Sequence, residues 1–284
     1  MLECCKPASK LKSKAMIRPI LLSLTLLLMY SLQMSAQSDE TVRELPQPAI
    51  NLYPTLGDMH GYAVGKLDGY LIVFGGTIRS RASETEPYEF PNLDILLIDF
   101  NNQRASAYTN GQLEGELGEQ MSATGLSYYQ KGNTLYLLGG YGYSQSHNQY
   151  ITFPYITAID LEATLQALMD GENPVASFYQ LCDDRLAIFD GTLDYNGEEF
   201  FLLNGKHAYK LQPFAEDAEY IEEKMDDQAR TFKLQGDLEN LEIKDFQTWY
   251  DMEGFEDYYG PLIPDRIREQ LDQSKQQRSR GIAQ

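Results

Sequence analysis

Three segments of the chain repeat one pattern of polar and apolar positions: a short strand, a polar turn, and an apolar strand ending in Gly-Gly or Asn-Gly. They run from Tyr62 to Gly76, from Gly125 to Gly140 and from Gly191 to Gly205. Their turns are Asp68-Gly69, Gly132-Asn133 and Asn196-Gly197, spaced by 64 residues. Asp-Gly and Asn-Gly are strong hairpin signals, because both central residues of a type I′ turn need a positive φ. The pattern predicts three hairpins in one register.

Further landmarks follow the hairpins. Phe90-Pro91 precedes Ile98-Asp99 in the first unit, as Phe153-Pro154 precedes Ile159-Asp160 in the second, and both predict a third strand. A fourth, outer strand fits residues 103–108 and 240–246. Leu161, Leu165 and Leu168 have helical spacing and predict a short, core-facing helix between the third and fourth strands of the second unit. Four short antiparallel strands repeated in tandem are typical of propeller blades.

An apolar strand that ends in Gly-Gly, followed by an aromatic residue and an outer strand, resembles the kelch repeat. Residues 59–66, 139–144 and 152–160 are similar to a secreted kelch-like propeller family of Bacteroidetes-type bacteria with no assigned activity. The units exceed the usual kelch length of about 50 residues. The first two lack the usual Trp, and Trp249 lies only near the matching place in the third. The resemblance covers roughly residues 50–250. It implies an all-β, kelch-like β-propeller of about three to four four-stranded blades with short helical insertions.

The number of blades is low for this architecture. Known propellers close with about four to eight blades, whereas residues 37–260 hold about three units. We therefore expect a truncated propeller, a small four-bladed one closed by its ends, or half of a homodimeric ring. Residues 261–284 are predicted to form a polar, helix-prone tail with little apolar surface, not another blade.

The N-terminal residues 1–36 are predicted to be a signal peptide. Basic residues up to Arg18 precede an apolar stretch from Ile20 to Leu32, and Ser35-Ala36 offers a cleavage site. Met1 and Met16 are both candidate start residues. The alternative to a cleaved signal peptide is a retained membrane anchor. We expect a secreted, periplasmic or cell-surface protein with no membrane span after cleavage. Cleavage removes five basic residues and one acidic residue, which changes the formal charge from −19 to −23. A protein with this net negative charge repels the phosphates of nucleic acids, which argues against nucleic acid as a partner.

Long loops between the second and third strands of each unit are the candidate binding elements. They span Thr77–Glu89, Tyr141–Ile151 and Lys206–Gln228, and the resemblance implies that they open on one face. The candidate ligand-binding residues are Arg79, Arg81, Tyr141, Tyr143, His147 and His207. For each aromatic residue the alternative is packing against its own blade. The histidines lack the spacing of a metal motif, so neither a metal site nor a cofactor is predicted.

These observations favour an exported, non-enzymatic binding module that presents loops to a protein or glycan ligand. One alternative is a carbohydrate-active enzyme on a propeller scaffold, acting through carboxylates such as Glu84, Glu86 or Asp94. Another is a truncated family member without independent function. The enzyme hypothesis predicts carboxylates that converge in a central pocket, and the fragment hypothesis predicts exposed apolar sheet edges.

Overall fold

The structure is a computed structural model that describes residues 46–79, 89–209 and 222–281. The predicted signal peptide lies outside the described residues, as do Arg81, Glu84 and Glu86. Strands dominate the described chain, in one five-stranded and two four-stranded antiparallel sheets, with two separate two-stranded hairpins and several helices. In all three sheets the four main strands follow one another in chain order, and an additional segment is inserted between the second and third strands.

The strands have the following bounds. The first sheet contains β1 (Met59–Leu67), β2 (Tyr70–Arg79), β4 (Asp94–Asp99) and β5 (Arg104–Thr109), with the inserted β3 (Glu89–Pro91) paired to β2. The second contains β6 (Ser127–Lys131), β7 (Thr134–Leu138), β10 (Tyr155–Asp160) and β11 (Phe178–Cys182), with the inserted hairpin β8 (Tyr141–Ser144) and β9 (Gln149–Thr152). The third contains β12 (Thr192–Tyr195), β13 (Phe200–Leu203), β16 (Ala229–Gln235) and β17 (Glu242–Trp249), with the inserted hairpin β14 (Lys206–Tyr209) and β15 (Glu222–Met225).

The α-helices lie before, between and after these sheets, and one connects two strands of the second sheet. They are α1 (Gln47–Leu52), α2 (Gly115–Met121), α3 (Leu161–Asp170), α4 (Met252–Tyr259) and α5 (Asp265–Gly281). The predicted core-facing helix of the second unit is confirmed, because Leu161 and Leu168 of α3 are buried. None of the helices in the described part of the chain combines the length and hydropathy needed to cross a membrane.

The three predicted hairpins are present, but their turns differ. Asp68 and Gly69 both have positive φ, at 41° and 85°, as a type I′ turn requires. The second turn has a positive φ only at Gly132, so it is of another type. In the third unit the connection is longer, because Tyr195 pairs with Phe200. There the Asn196 side chain accepts hydrogen bonds from the backbone of Glu198 and Glu199, which is the local bonding that suits Asn to turns.

The glycine pairs that end the apolar strands form the joints between sheets. Gly139 and Gly140 have φ values of 68° and 94°, and the amide of Gly140 donates to the carbonyl of Ile188 at 2.9 Å. A Cβ atom at Gly139 would lie 1.7 Å from that same carbonyl oxygen. The first unit repeats this contact, because the Gly76 amide donates to the Ala123 carbonyl at 2.7 Å. Glycine is therefore needed for its left-handed conformation and for the close approach of the next backbone.

The first strands of successive sheets also contact one another at the repeat interval. The side-chain amide of Gln130 donates to the Lys66 carbonyl at 2.7 Å and accepts from the Lys66 backbone N–H at 2.8 Å. One unit further on, the Lys131 ammonium donates to the Tyr195 hydroxyl and lies 4.3 Å from its ring centroid. Sequence repeats therefore correspond to sheets stacked in chain order. No closed ring of sheets is found among the described residues.

The C-terminal helices cover the third sheet. Ile263, Ile267 and Leu271, four residues apart, are at most 4% exposed and share a core with Phe201 and Leu203 of β13. The described part of the tail is helical from Asp265 as predicted. Ile263, Ile267 and Leu271 are used in this packing, whereas Leu262 is exposed. Arg266 in addition donates to the carbonyls of Leu193 and Tyr128 on the first strands of two sheets.

The N-terminal segment belongs to the core of the first sheet. Ala49 of α1 and Leu56 are at most 2% exposed and lie in the cluster that contains Val73 and Phe74 of β2. Helical segments from both ends of the described chain therefore bury apolar surface of the sheets.

Candidate functional site

A groove of about 920 Å³ opens between the inserted segments of the first and second sheets. We call it the loop-face groove; it is formed by β3, residues 109–115, α2 and the β8–β9 hairpin. The third inserted hairpin lies beside the second, since the Ala208 amide donates to the Thr152 hydroxyl at 3.1 Å. The inserted segments are therefore neighbours on one face of the molecule.

Aromatic side chains line the groove from both sides. Tyr141 and Tyr143 lie on β8, and each packs on Tyr150 of β9 with ring centroids 5.7 and 5.4 Å apart. On the opposite strand β3, the ring of Phe90 is 41% exposed, and Tyr143 is 42% exposed. The Tyr143 hydroxyl donates to Asn148 Oδ1 at 2.7 Å. Two exposed aromatic side chains thus lie on paired strands, an arrangement suited to contact with a ligand.

Glu119 of α2 holds the β8–β9 hairpin against the helix. Its Oε1 accepts hydrogen bonds from the amide of Ser146 at 3.0 Å and from the Ser146 hydroxyl at 2.9 Å. Burial raises the pKa of this carboxyl, but hydrogen bonds from Ser144, Ser146 and Gln145 outweigh it, so the pKa lies below the usual value. Glu119 is therefore ionised at neutral pH. Its hydrogen bonds help to fix the hairpin that carries Tyr141 and Tyr143.

Asn110 lies in the floor of the groove and is only 3% exposed. Its Nδ2 donates to the carbonyl of Met121 at 3.0 Å, which fixes the orientation of the amide. Its Oδ1 is buried and has no hydrogen-bond partner among the described residues. An unpartnered buried acceptor is costly, but this oxygen has almost no accessible surface, so a ligand in the groove would not contact it.

The negative charge of one carboxylate at the groove, that of Glu89, is balanced by a neighbouring arginine. Glu89 of β3 accepts from the Arg79 guanidinium at 3.0 Å and lies 3.4 Å from the His60 ring. Glu114, which precedes α2, is exposed and makes no ion pair among the described residues. The described lining residues include Glu89, Glu114 and Glu119 but no lysine, arginine or histidine. The groove is therefore acidic and aromatic.

A separate charged cluster lies at the base of the β14–β15 hairpin. Asp226, only 4% exposed, bonds to the His207 ring at 2.6 Å and to the Arg230 guanidinium at 2.7 Å. Burial opposes ionisation of Asp226, but the hydrogen bonds from His207 and Arg230 and the Arg230 charge outweigh it and hold its pKa far below the usual value. These contacts anchor the hairpin to β16.

The structure brings together only some of the predicted site residues. Tyr141 and Tyr143 line the groove, and Arg79 reaches it through Glu89. His147 bonds to Ser144 within the hairpin and is not a lining residue, and His207 belongs to the Asp226 cluster. Arg81 lies outside the described residues. No group of three potential metal-binding side chains occurs within residues 46–79, 89–209 and 222–281.

Among the candidate binding residues named from the sequence only Tyr141 and Tyr143 line the groove, and sequence reasoning missed the others, including Phe90, Asn110, Glu114 and Glu119. Phe90 was available as a landmark of the repeat, whereas α2, which carries Glu119, has a glycine-rich sequence with little helical signal. Of the carboxylates named for an enzyme, Asp94 is not among the described lining residues. The other two lie outside the described chain.

No protein-family model matches this chain, and no curated protein matches it in sequence. The kelch-like resemblance therefore stays a prediction, and the site must be interpreted from its own geometry.

Proposed function

We propose that this protein is an exported binding module built on a kelch-like propeller scaffold of three blades, with its ligand held in the loop-face groove. The scaffold part of the proposal is supported by the three four-stranded sheets, their contacts at the repeat interval and their glycine joints. The export part follows from the predicted signal peptide.

One observation carries the binding proposal: exposed rings from two different sheets flank a single groove. Phe90 comes from the first sheet and Tyr143 from the separate β8–β9 hairpin of the second unit, and both lie on hydrogen-bonded strands. The volume of about 920 Å³ lies in the range of ligand sites, which is about 300 to 1,000 Å³. Aromatic residues dominate binding energy where they occur in interfaces.

The test is a binding screen of residues 37–284 against arrays of oligosaccharides and of peptides. Any ligand found is then titrated against Phe90→Ala and Tyr143→Ala, with Tyr250→Ala as the matched control, because Tyr250 is 77% exposed and is not a groove-lining residue. We expect each groove variant to weaken binding by about ten-fold or more, as for aromatic residues at interface centres. The control is expected to bind as the wild type does. A screen without ligands, or a ligand insensitive to both groove variants, refutes the proposal.

A further inference from the structure

Strand β14 lies between the Asp226 cluster and the β8–β9 side of the loop-face groove. Successive residues of a strand direct their backbone groups to alternate edges. Lys206 and Ala208 therefore share one edge of β14, and both use it for contacts outside their own hairpin. His207 lies between them in the strand, and its ring bonds to Asp226 at 2.6 Å. The residue held by the cluster is thus flanked on both sides by residues that contact other elements.

The first of these contacts joins β14 to a groove-lining ring. Lys206 and Phe189 exchange two backbone hydrogen bonds, of 2.8 and 3.1 Å. The ring of Phe189 packs on that of Tyr141, with centroids 5.4 Å apart. Tyr141 lines the groove and packs in turn on Tyr150. A single residue, Phe189, therefore separates the backbone of β14 from the aromatic side of the groove.

The second contact reaches the β8–β9 hairpin directly. The Ala208 amide donates to the Thr152 hydroxyl at 3.1 Å. Thr152 lies on β9, opposite Tyr141 of β8. Ala208 is only 8% exposed, and an amide that loses its partner in such surroundings is costly. The two contacts therefore meet the hairpin at the same pair of residues, from the side of the third unit.

The Asp226 cluster attaches β14 to the third sheet. Asp226 binds Arg230 of β16 through both of its carboxylate oxygens, at 3.2 and 2.7 Å. Arg230 is buried, as Asp226 is. Hydrogen bonds between charged groups are shorter and stronger than those between neutral groups. His207 is therefore bound to a buried ion pair whose other member lies in the sheet.

We infer that His207 is a positioning residue for the loop-face groove. By binding Asp226 it holds β14 against Phe189 and Thr152, and so fixes the hairpin that carries Tyr141 and Tyr143. This inference rests on the proposed binding function, because the role it assigns is to shape that site. It makes the third inserted hairpin a support of the groove, although none of its described residues lines the groove.

The experiment is hydrogen–deuterium exchange of residues 37–284, read by mass spectrometry of peptides, and it needs no ligand. His207→Leu removes the hydrogen bond to Asp226, whereas His207→Gln is the conservative variant that keeps a side-chain donor. Thr152→Val removes the hydroxyl that accepts from Ala208.

The matched control is Glu198→Gln. It breaks an ion pair in which Glu198 lies 2.6 Å from Lys233. Lys233 lies on β16, the strand that also carries Arg230. The control therefore removes a polar contact of the same sheet that has no connection to β14.

We expect His207→Leu and Thr152→Val each to speed up exchange in residues 141–152 about ten-fold, as for local opening after loss of one hydrogen bond with a buried partner. Strands β13 and β16 should exchange as in the wild type, because Asp226 keeps its bonds to Arg230. His207→Gln should restore slow exchange in residues 141–152. Glu198→Gln should change it by less than about two-fold, the size of an exposed ion pair.

Unchanged exchange of residues 141–152 in both His207→Leu and Thr152→Val would mean that the two hairpins are independent, and would overturn the inference. Equally faster exchange in β13 and β16 would also overturn it, since His207 would then stabilise the third sheet in general. So would an equal effect of Glu198→Gln. If His207→Leu does not fold, Thr152→Val decides between these outcomes. The proposed binding function is tested separately by the variants of Phe90 and Tyr143, so either proposal can fail without the other.

Discussion

Gly139 lies at the joint between the second and third sheets, and its replacement by alanine tests whether the joints hold the fold together. The residue has a φ of 68°, and a Cβ atom there would come within 1.7 Å of the Ile188 carbonyl oxygen. Real Cβ atoms do not approach backbone atoms so closely, so the two sheets would have to separate locally. The neighbouring bond from the Gly140 amide to the same carbonyl would then be lost.

The control for this change is Gly132→Ala in the second hairpin turn. Gly132 has a similar φ of 56°, but a Cβ atom there would have no neighbour within 4 Å. A left-handed alanine costs about 1 to 2 kcal/mol, and the smaller entropy of the unfolded chain returns about 0.4 to 1 kcal/mol. Gly132→Ala should therefore lower the free energy of unfolding by about 1 kcal/mol. At Gly139 the loss of a buried hydrogen bond and its unpaired groups adds about 3 kcal/mol.

The two variants are compared by urea unfolding of residues 37–284, followed by circular dichroism and by the fluorescence of Trp249, the single tryptophan of the chain. Coincident transitions from the two probes would show that each variant unfolds in two states. Equal slopes against urea concentration would then allow the two free energies of unfolding to be compared. We expect Gly139→Ala to be destabilised by about 4 kcal/mol in total, or not to fold. If Gly139→Ala and Gly132→Ala lost the same stability, the role assigned to the glycine joints would be wrong.

Two further predictions concern the third sheet. Ile267→Ala should lower the free energy of unfolding by about 2 to 4 kcal/mol, because Ile267 of α5 is 0% exposed where the helix packs on the sheet. The control is Gln273→Ala at an exposed position of the same helix, which should change the free energy of unfolding by less than about 0.5 kcal/mol in the same urea titration. For Asp226 the pKa is lowered in the folded state, so its contribution to stability is present above the unfolded-state pKa of about 4 and is lost as the pH falls below it. Unfolding of wild type and Asp226→Asn at pH 7 and pH 3 should give a stability difference that shrinks at pH 3, and a constant difference would contradict this assignment.

The strands and hairpins of this protein could be predicted because their signals are local. Turn residues such as Asp68-Gly69 lie next to the strands they connect, and the predicted outer strands 103–108 and 240–246 agree with β5 and β17 to within three residues at each end. The repeat strengthened each prediction, since a weak signal in one unit recurred in the same register in the next. The type of each turn was predicted less well. A type I′ turn was expected from the sequence signals, but only one of the three turns has positive φ at both central residues.

The groove could not be predicted because its parts are distant in sequence. Glu119 supports a hairpin 27 residues away through Ser146, and Asn110 becomes a buried acceptor only when α2 packs beside it. Such contacts leave no periodicity in the sequence. The histidines lack the spacing of a metal motif in the sequence, and the structure gives His60, His147 and His207 separate partners in three different units.

The third sheet differs from the first two at the end of its apolar strand, where Asn204-Gly205 replaces the glycine pair. In the first two units a Cβ atom at the first glycine, Gly75 or Gly139, would lie 2.4 or 1.7 Å from a carbonyl oxygen of the next unit. The third unit has Asn204 at this position, with a φ of 56°, and its side chain lies 3.4 Å from Ser274 of α5. Asparagine tolerates the left-handed conformation but needs space for its side chain. That space exists because α5, and not another sheet, follows here. The change from glycine to asparagine is therefore a sequence signal for the last sheet of the described series.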